Sequence, residues 1–508
     1  MKNFTAMKRD SKGHSSPVRE EIKRVSDMME NNKPAPSNPF SGLDSLDLLL
    51  VNPSVNWRSE NILKMTLRIE EDIPNQESPP LGLGYLLAAA RKEGLKAKCI
   101  DMAVDGYSIS ELVDLIAKTK PSLVGFTAFT KQITEVGEIS LQIKKSLPNT
   151  LIGVGGCHVT AIPFQTLEEF PQVDFVFCGE GEEQVKKILD LHDKPESLAQ
   201  VPGVVTRNTV SYEHVIAADL DNAPFPAWEE FDLAKYPGLL PHQTKLELPM
   251  LMTRGCPFKC TFCCRVNGGE IRFRSVKSVL AEIERNVSEF GCEALAVCDE
   301  NFVVDKEWTK QMLSGLIDSG LNKKVKWSAA MRVNTAQPDL LKRMKEAGCY
   351  YVFYGFESAN DATLGRVNKG TRVSQMLPAV QWTKEAGLVP VGGFMIGLPG
   401  DTDKEVFEAI ELGKKLDLYS ITFPIAVPYP GTEMREQALK NMYGMRILTS
   451  EWNMYGRKSI DSKEDFEIME SESFPAEHQR KMQAIAYEQH PKKKMDEYLK
   501  QLDSSTIK

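Results

Sequence analysis

The chain has 508 residues, of which 42% are hydrophobic and 26% charged, a balance typical of a folded protein of about two to four domains. Its formal net charge of −8 argues against a nucleic-acid-binding protein, which is more often basic. No apolar run is long enough to span a bilayer, and the polar start is unlike a signal peptide. Ten cysteines without an export signal fit a reducing, cytoplasmic location.

The first half of the chain predicts a polar arm and then an α/β domain. Residues 1–40 are polar and end in a proline-rich stretch, which indicates a flexible N-terminal arm. Short apolar runs then alternate with amphipathic patterns, and this predicts a doubly wound parallel sheet over residues 41–199. Strands are predicted at 46–51, 97–100, 123–127, 151–156 and 174–178, and helices at 81–93, 109–118, 134–145 and 164–170.

Ligands of such sheets lie beyond the carboxyl ends of the strands. Several residues at these ends are small, which lets a large flat ligand approach the backbone. The residues at these ends are Asn52, Pro53, Thr127, Gly155, Gly156, Gly179 and Glu180.

The second half predicts a barrel and a cap. Residues 200–245 are proline-rich and predict a connector. The α/β pattern then restarts, with strands predicted at 250–253, 294–298, 326–331, 351–355, 389–396 and 420–425. About six βα units predict a partial barrel over residues 246–438, with its site at the carboxyl ends of the strands. Residues 439–508 are polar and predict a mainly helical region that caps the barrel.

Three cysteines follow the first predicted barrel strand with the spacing C-x3-C-x2-C: Cys256, Cys260 and Cys263. Structural zinc sites usually close four positions with Cys or His, and a 4Fe–4S cluster commonly takes four thiolates. A three-thiolate site leaves one metal position open to another ligand, which favours a role in chemistry. A zinc site completed by Cys264 or by a distant histidine is the alternative.

A cysteine loop of this spacing at the mouth of a βα barrel resembles the radical S-adenosylmethionine (SAM) superfamily, over residues 245–435. The resemblance implies that the three thiolates hold a 4Fe–4S cluster whose open iron binds SAM, and that reduction yields a 5′-deoxyadenosyl radical. Further matches at strand ends imply the SAM contacts. These are Asp299, Glu300 and Asn301 for the ammonium group, Arg332 for the carboxylate, Glu357 and Ser358 for the ribose, and Gly397 for the adenine.

An α/β domain ahead of such a barrel resembles the cobalamin-binding radical SAM enzymes, including the class B radical SAM methyltransferases. The motifs that carry this resemblance are Asn52-Pro53 and the stretches 79–86, 155–160 and 179–182. Cobalamin domains that give a histidine to cobalt use an Asp-x-His-x-x-Gly motif, which is missing here, so no histidine is expected on cobalt. A dinucleotide fingerprint is also missing, which disfavours a nicotinamide cofactor. The implied cobalamin contacts are Asn52, Pro53, Thr127, Gly155, Gly156, His158, Gly179 and Glu180, with His158 alternatively a hydrogen-bonded loop residue.

The resemblance implies an enzyme that moves a methyl group from methylcobalamin to an unactivated carbon of a small-molecule or lipid substrate, in a cavity between the domains. One SAM would methylate cob(I)alamin, and a second would supply the radical. Alternatives are a cobalamin-dependent cyclase or rearrangement enzyme, as in the porphyrin cyclases, and a non-catalytic cobalamin or redox sensor. An external electron donor such as flavodoxin or ferredoxin is an implied partner.

Overall fold

The computed structural model describes residues 45–54, 78–236, 246–456, 467–491, 493 and 498. The arm predicted at 1–40 lies outside the described residues. Within the described ranges, no helix has the length and apolar character needed to cross a membrane.

The N-terminal domain is built on a six-stranded sheet with the strand order β2-β1-β3-β4-β5-β6. Strands β1 to β5 pair in parallel, and β6 is antiparallel to β5. The strands are β1 (Leu48–Asn52), β2 (Ala97–Asp101), β3 (Leu123–Thr127), β4 (Leu151–Gly155), β5 (Phe175–Phe177) and β6 (Val204–Val205). The helices are α1 (Leu81–Lys92), α2 (Met102–Asp105), α3 (Ile109–Thr119), α4 (Ile133–Ser146), α5 (Cys157–Ala161), α6 (Pro163–Glu169) and α7 (Val185–Leu189).

The register of this sheet brings its polar strand ends to one edge. Asn52 lies opposite Asp101, and Thr127 lies opposite Gly155. All five residues of β1 are buried, as expected for a parallel strand with helices on both faces. The predicted doubly wound sheet is therefore confirmed, and the strand ends Asn52, Thr127 and Gly155 lie at one edge of it.

The second domain is a six-stranded, all-parallel sheet with the order β14-β13-β12-β11-β10-β7. Its strands are β7 (Glu247–Met250), β10 (Ala294–Val297), β11 (Lys326–Met331), β12 (Cys349–Glu357), β13 (Val389–Phe394) and β14 (Ser420–Thr422). The helices between them are α8 (Val276–Phe290), α9 (Lys306–Asp318), α10 (Pro338–Glu346), α11 (Asp361–Arg366), α12 (Met376–Glu385) and α13 (Asp403–Leu416). Sequential parallel strands with intervening helices form the predicted partial (βα)6 barrel.

The prediction for the first barrel strand was wrong in position. The strand is Glu247–Met250, not 250–253, and it pairs with Ala294–Val297. Glu247 and Pro249 interrupt the apolar run, so the sequence pattern did not show where this strand begins. The proline is tolerated because β7 is an edge strand. The cysteines instead lie between two short antiparallel strands, β8 (Thr253–Arg254) and β9 (Arg272–Phe273). The cysteine loop is therefore the tip of a hairpin.

Local capping explains why several helices begin and end where they do. Ser275 accepts a hydrogen bond from the backbone of Ser278 at the start of α8, and Gly291 ends that helix with a φ of 67°. Thr402 and Glu405 form a capping box at the start of α13. The types of these capping residues are readable from the sequence.

The C-terminal region contains α14 (Glu433–Leu439), a hairpin of β15 (Met445–Ile447) and β16 (Met469–Ser471), and α15 (Ala476–Gln489). The hairpin is an addition to the predicted mainly helical region. Trp452 of this region donates from Nε1 to Glu169 of α6 at 2.6 Å. The C-terminal region therefore also contacts the N-terminal domain.

Candidate functional site

The cysteine loop is closed by backbone contacts and held from β10. Gly255 has a φ of +95°, and a Cβ there would lie 2.1 Å from the carbonyl oxygen of Glu270. Glu300, just after β10, accepts hydrogen bonds from the Gly255 backbone at 3.2 Å and from Asn267 Nδ2 at 2.5 Å. These contacts fix the base of the loop before any ligand binds.

One cavity of about 630 Å³ includes all three predicted cluster cysteines in its wall. The barrel contributes the carboxyl ends of its strands, and the N-terminal domain contributes Ser78, Pro79 and Leu81 at the start of α1. Parallel strands direct their carboxyl ends to one side, so residues far apart in sequence meet here. The cavity is therefore shared by both domains.

The environment of the thiols affects their protonation. Burial, together with the neighbouring thiols, raises the pKa of Cys263 to about 12, although part of this residue faces the open cavity. Burial also raises the pKa of Cys256. Cluster ligands must be deprotonated, so loading the loop releases protons. No three His, Cys, Asp or Glu side chains within the described ranges are spaced to hold a single metal ion.

Arg332 and Asn301 are the predicted SAM contacts that remain available to a ligand. The Arg332 guanidinium lies 3.8 Å above the Phe258 ring, with Nη1 3.7 Å from the Cys260 sulfur. Arg332 is 6% exposed and Asn301 is 3% exposed. Nε and Nη2 of Arg332 and both amide atoms of Asn301 have no hydrogen-bond partner among the described residues. Such atoms cost about 1–3 kcal/mol each when unsatisfied, so they fit the polar amino-acid end of SAM.

Asp299 and Glu300 line the same cavity but have protein partners. Asp299 accepts hydrogen bonds from the Met252 backbone and from Thr253 Oγ1, both at 2.8 Å. Burial raises the pKa of Asp299 to about 7, against the lowering effect of these hydrogen bonds. Both carboxylates therefore tie β10 to the hairpin, and their contact with SAM stays a prediction.

The other SAM-side predictions differ in their surroundings. Glu357 has a φ of +65° and accepts a hydrogen bond from Lys369 Nζ at 2.7 Å, and both residues line the cavity. Ser358 is buried and accepts a hydrogen bond from the Asn360 backbone. Gly397 is not among the cavity-lining residues. It packs against Gln479 of α15, whose side-chain oxygen would lie 2.8 Å from a Cβ at position 397. Lys369 was not predicted from the sequence, because it follows a short helix and not the carboxyl end of a strand.

The predicted cobalamin contacts at β1, β3 and β4 lie together at the edge of the N-terminal sheet. Asn52 is 3% exposed and donates from Nδ2 to Asp101 Oδ1 at 2.7 Å, and Pro53 follows it in a buried position. Thr127 and Gly155 end their strands side by side. Gly156 has a φ of +103°, and a Cβ there would lie 2.7 Å from the Ala128 carbonyl oxygen. Only glycine fits this turn without strain.

His158 lies just beyond this turn and is 1% exposed. Neither ring nitrogen has a hydrogen-bond partner among the described residues, and the ring packs edge-on against Trp452 at 5.2 Å. Burial and then the charge of Arg435 lower the pKa of His158 to about 3, so the ring is neutral. An unsatisfied, buried imidazole beside a glycine turn fits a polar group of a large ligand such as cobalamin.

Gly179 and Glu180 face a different neighbour. Gly179 pairs with Val215, and Glu180 accepts hydrogen bonds from Arg254 and Arg272 on the hairpin strands. The loop after β5 therefore contacts the base of the cysteine loop. Contact of these two residues with cobalamin stays a prediction.

The arrangement defines an enzyme with a cofactor-binding α/β domain that shares a cavity with a three-cysteine barrel. Two family models match the chain: "B12 binding domain" over residues 74–189 and "Radical SAM superfamily" over residues 250–413. An uncharacterized methyltransferase of Pyrococcus horikoshii is 32% identical over 80% of this chain and 87% of the relative. The chain belongs to the cobalamin-dependent radical SAM methyltransferase family.

The chain is also similar to a curated cyclase and to a solved structure. An anaerobic magnesium-protoporphyrin IX monomethyl ester cyclase of Cereibacter sphaeroides is 29% identical over 71% of this chain and 61% of the relative. The solved structure of the radical SAM methyltransferase TsrM from Kitasatospora setae, with cobalamin and a [4Fe-4S] cluster bound, has a TM-score of 0.63. It is 18% identical and covers 82% of this chain and 83% of that one, which shows a common fold.

The family assignment decides between the alternatives that the cysteine spacing left open. The cofactors are a 4Fe–4S cluster, SAM and cobalamin, so the zinc interpretation is wrong. The protein is an enzyme, and the interpretation as a non-catalytic sensor is not supported.

Proposed function

We propose that this protein transfers a methyl group from methylcobalamin to an unactivated carbon of a small-molecule or lipid substrate. The observation that carries the proposal is the shared cavity, whose wall includes the three cysteines together with Ser78, Pro79 and Leu81 of the cobalamin-binding domain. When bound, the cluster and SAM supply a 5′-deoxyadenosyl radical, and cobalamin supplies the methyl group. Both chemistries require access to one substrate carbon, which a single cavity provides.

The barrel residues have the charges needed to bind and orient SAM. Cys256, Cys260 and Cys263 would hold the cluster, and Arg332 would bind the SAM carboxylate through its unpartnered nitrogens. Asn301 would accept from the ammonium group. Arg332 and Lys369 also favour thiolates in this loop, because their charges act to lower the pKa values of Cys256 and Cys263 respectively.

The cobalamin-binding domain would hold the corrin at the edge formed by β1, β3 and β4. Gly156 allows close backbone approach there, and His158 offers a neutral ring with unsatisfied nitrogens. Its lowered pKa keeps the ring uncharged across the neutral range. A hydrogen bond to a cobalamin side group, and not a bond to cobalt, is the role we assign to His158.

The remainder of the cavity wall is largely apolar. Tyr351 and Phe353 of β12, Met395 after β13, and Ile425 and Val427 after β14 contribute to it. Such a lining excludes water from a reactive radical and suits a substrate with a substantial apolar part. This supports the small-molecule or lipid class of substrate.

The test is an anaerobic assay of the reconstituted, reduced protein with SAM whose methyl group is deuterated. Methyl transfer predicts S-adenosylhomocysteine, 5′-deoxyadenosine and a deuterated methyl product with candidate substrates. The similarity to the cyclase supports a second candidate, cyclisation or rearrangement, at lower identity and coverage. Formation of 5′-deoxyadenosine without S-adenosylhomocysteine would reject methyl transfer in favour of that candidate. A Cys263→Ala variant is the control, and it should form neither 5′-deoxyadenosine nor the deuterated methyl product.

We further propose a reducing, cytoplasmic location and an external electron donor such as flavodoxin or ferredoxin. All ten cysteines are free thiols, which supports a reducing compartment. Retained turnover with dithionite but none with any reduced flavodoxin or ferredoxin would reject the proposed donor.

A further inference from the structure

A buried network of four charged side chains joins the cobalamin-binding domain to the hairpin that carries the cysteine loop. Arg254 on β8 donates to Glu180 at 2.9 Å and to Glu182 at 2.7 Å. Arg272 on β9 donates to both carboxylate oxygens of Glu180, at 3.0 and 2.6 Å. The four side chains are between 6% and 12% exposed. Only Gly255 separates Arg254 from Cys256, the first cluster cysteine, so the network holds the chain at the point where the cysteine loop begins.

The network is electrically balanced, with two arginines and two glutamates. Burial acts to raise the pKa of Glu180, but the hydrogen bonds and charges of Arg272 and Arg254 outweigh it and hold that pKa below its ordinary value. Tyr85 of α1 covers the Arg254 guanidinium at 5.1 Å. Ion pairs shielded from water in this way are far less screened than surface pairs, and loss of one partner leaves the other charge uncompensated.

Both ends of the network are fixed by glycines with positive φ. Gly179, directly before Glu180, has a φ of +111°, and a Cβ there would lie 2.1 Å from the Val215 carbonyl oxygen. Gly255, directly after Arg254, is similarly restricted by Glu270. Both backbone segments are therefore closely packed against the chain opposite them. Side-chain contacts between the two segments link the domains at this point.

We propose that Glu180 is a positioning residue that sets the distance between the cluster and cobalamin sites, by holding the cysteine loop against the cobalamin-binding domain. The proposal rests on the proposed function, because only a reaction that uses both cofactors depends on this distance. A misplacement of about 1 Å can lower the rate of such a step about 100-fold. SAM cleavage at the cluster alone needs no contact with cobalamin and should be much less affected.

The test compares the Glu180→Gln and wild-type holoenzymes under anaerobic conditions, with dithionite as the reductant of both cofactors and without substrate. S-adenosylhomocysteine reports methylation of bound cobalamin, and 5′-deoxyadenosine reports SAM cleavage at the cluster. We expect their ratio to fall about 10- to 100-fold in the variant. Hydrogen exchange of peptides from 255–271 should accelerate on the order of tenfold, because the strands that flank the loop lose their ion pairs with Glu180. Arg272→Lys keeps the charge but loses the paired hydrogen bonds. It should therefore also lower the product ratio and accelerate the hydrogen exchange of the loop.

The matched control is Asp174→Asn, which breaks an ion pair with Lys144 inside the cobalamin-binding domain, away from the loop. It should leave the product ratio and the loop exchange at wild-type values. Unchanged values in both Glu180→Gln and Arg272→Lys, or equal changes in Asp174→Asn, would overturn the proposal. If the wild type forms no S-adenosylhomocysteine, the proposed function fails, while the exchange comparison still decides whether Glu180 holds the loop.

Discussion

Replacement of Arg332 by lysine tests the assignment of the SAM carboxylate site. Arginine presents two unpartnered nitrogens from a rigid guanidinium stacked at 3.8 Å on Phe258, whereas lysine offers a point charge and no equivalent stacking. Loss of one charge-assisted hydrogen bond costs about 1.5–3 kcal/mol, which corresponds to a rise in the Kd for SAM of about 10- to 160-fold.

The assay is anaerobic calorimetric titration of the reconstituted wild-type and Arg332→Lys proteins with SAM. Methylthioadenosine, which lacks the amino-acid arm, is the matched control ligand and should keep its affinity within about twofold. An equal loss of affinity for both ligands would refute the reasoning, because it would place the effect on cavity packing. A loss for SAM smaller than about threefold would also refute it.

Three further outcomes follow from the site. Cys263→Ala should lose the cluster, whereas Cys264→Ala should keep about four irons per chain, as measured by iron and sulfide analysis; equal loss in both would implicate Cys264 as a ligand. Gly156→Ala should lower cobalamin content and cost about 1–3 kcal/mol of stability, because its Cβ would meet the Ala128 backbone at 2.7 Å. Gly82→Ala, with open space around its Cβ, is the control and should be neutral or stabilising. Burial raises the pKa of Asp401 from 3.8 to about 7, so the folded state holds this proton to higher pH than the unfolded state. The contribution of Asp401 to the stability of the folded protein should therefore fall as pH rises from about 4 to 7, by about 1.4 kcal/mol per pH unit, and Asp401→Asn should remove this contribution from the slope measured by urea unfolding.

Two of the predicted cavity residues have a structural role in addition to the SAM contact that their motif implies. Asp299 and Glu300 follow β10 as expected, yet both accept hydrogen bonds from the segment that leads into the cysteine loop. Together with Glu180 they fix this loop from two sides. These three carboxylates therefore position the cysteine loop, and the contact of Asp299 and Glu300 with SAM stays a prediction.

The sequence by itself determined the fold class and predicted several residues of the cavity wall, because these depend on local signals. Apolar runs placed β3 and β11 at their observed bounds. The cysteine spacing and the strand-end residues identified the cavity wall, since parallel strands direct their carboxyl ends to one side. Where a charged residue or a proline interrupted an apolar run, as at Glu247 and Pro249, the local signal failed.

Only the tertiary structure decided which charges meet. Glu180 pairs with arginines 74 and 92 positions away, and Trp452 reaches a glutamate 283 positions away. A local pattern carries no information about such partners, because each side chain alone resembles an ordinary surface residue. Because Glu180 and its two arginines are buried together, their ion pairs link the two domains. The cobalamin-binding domain thus helps to hold the loop that carries the three cysteines.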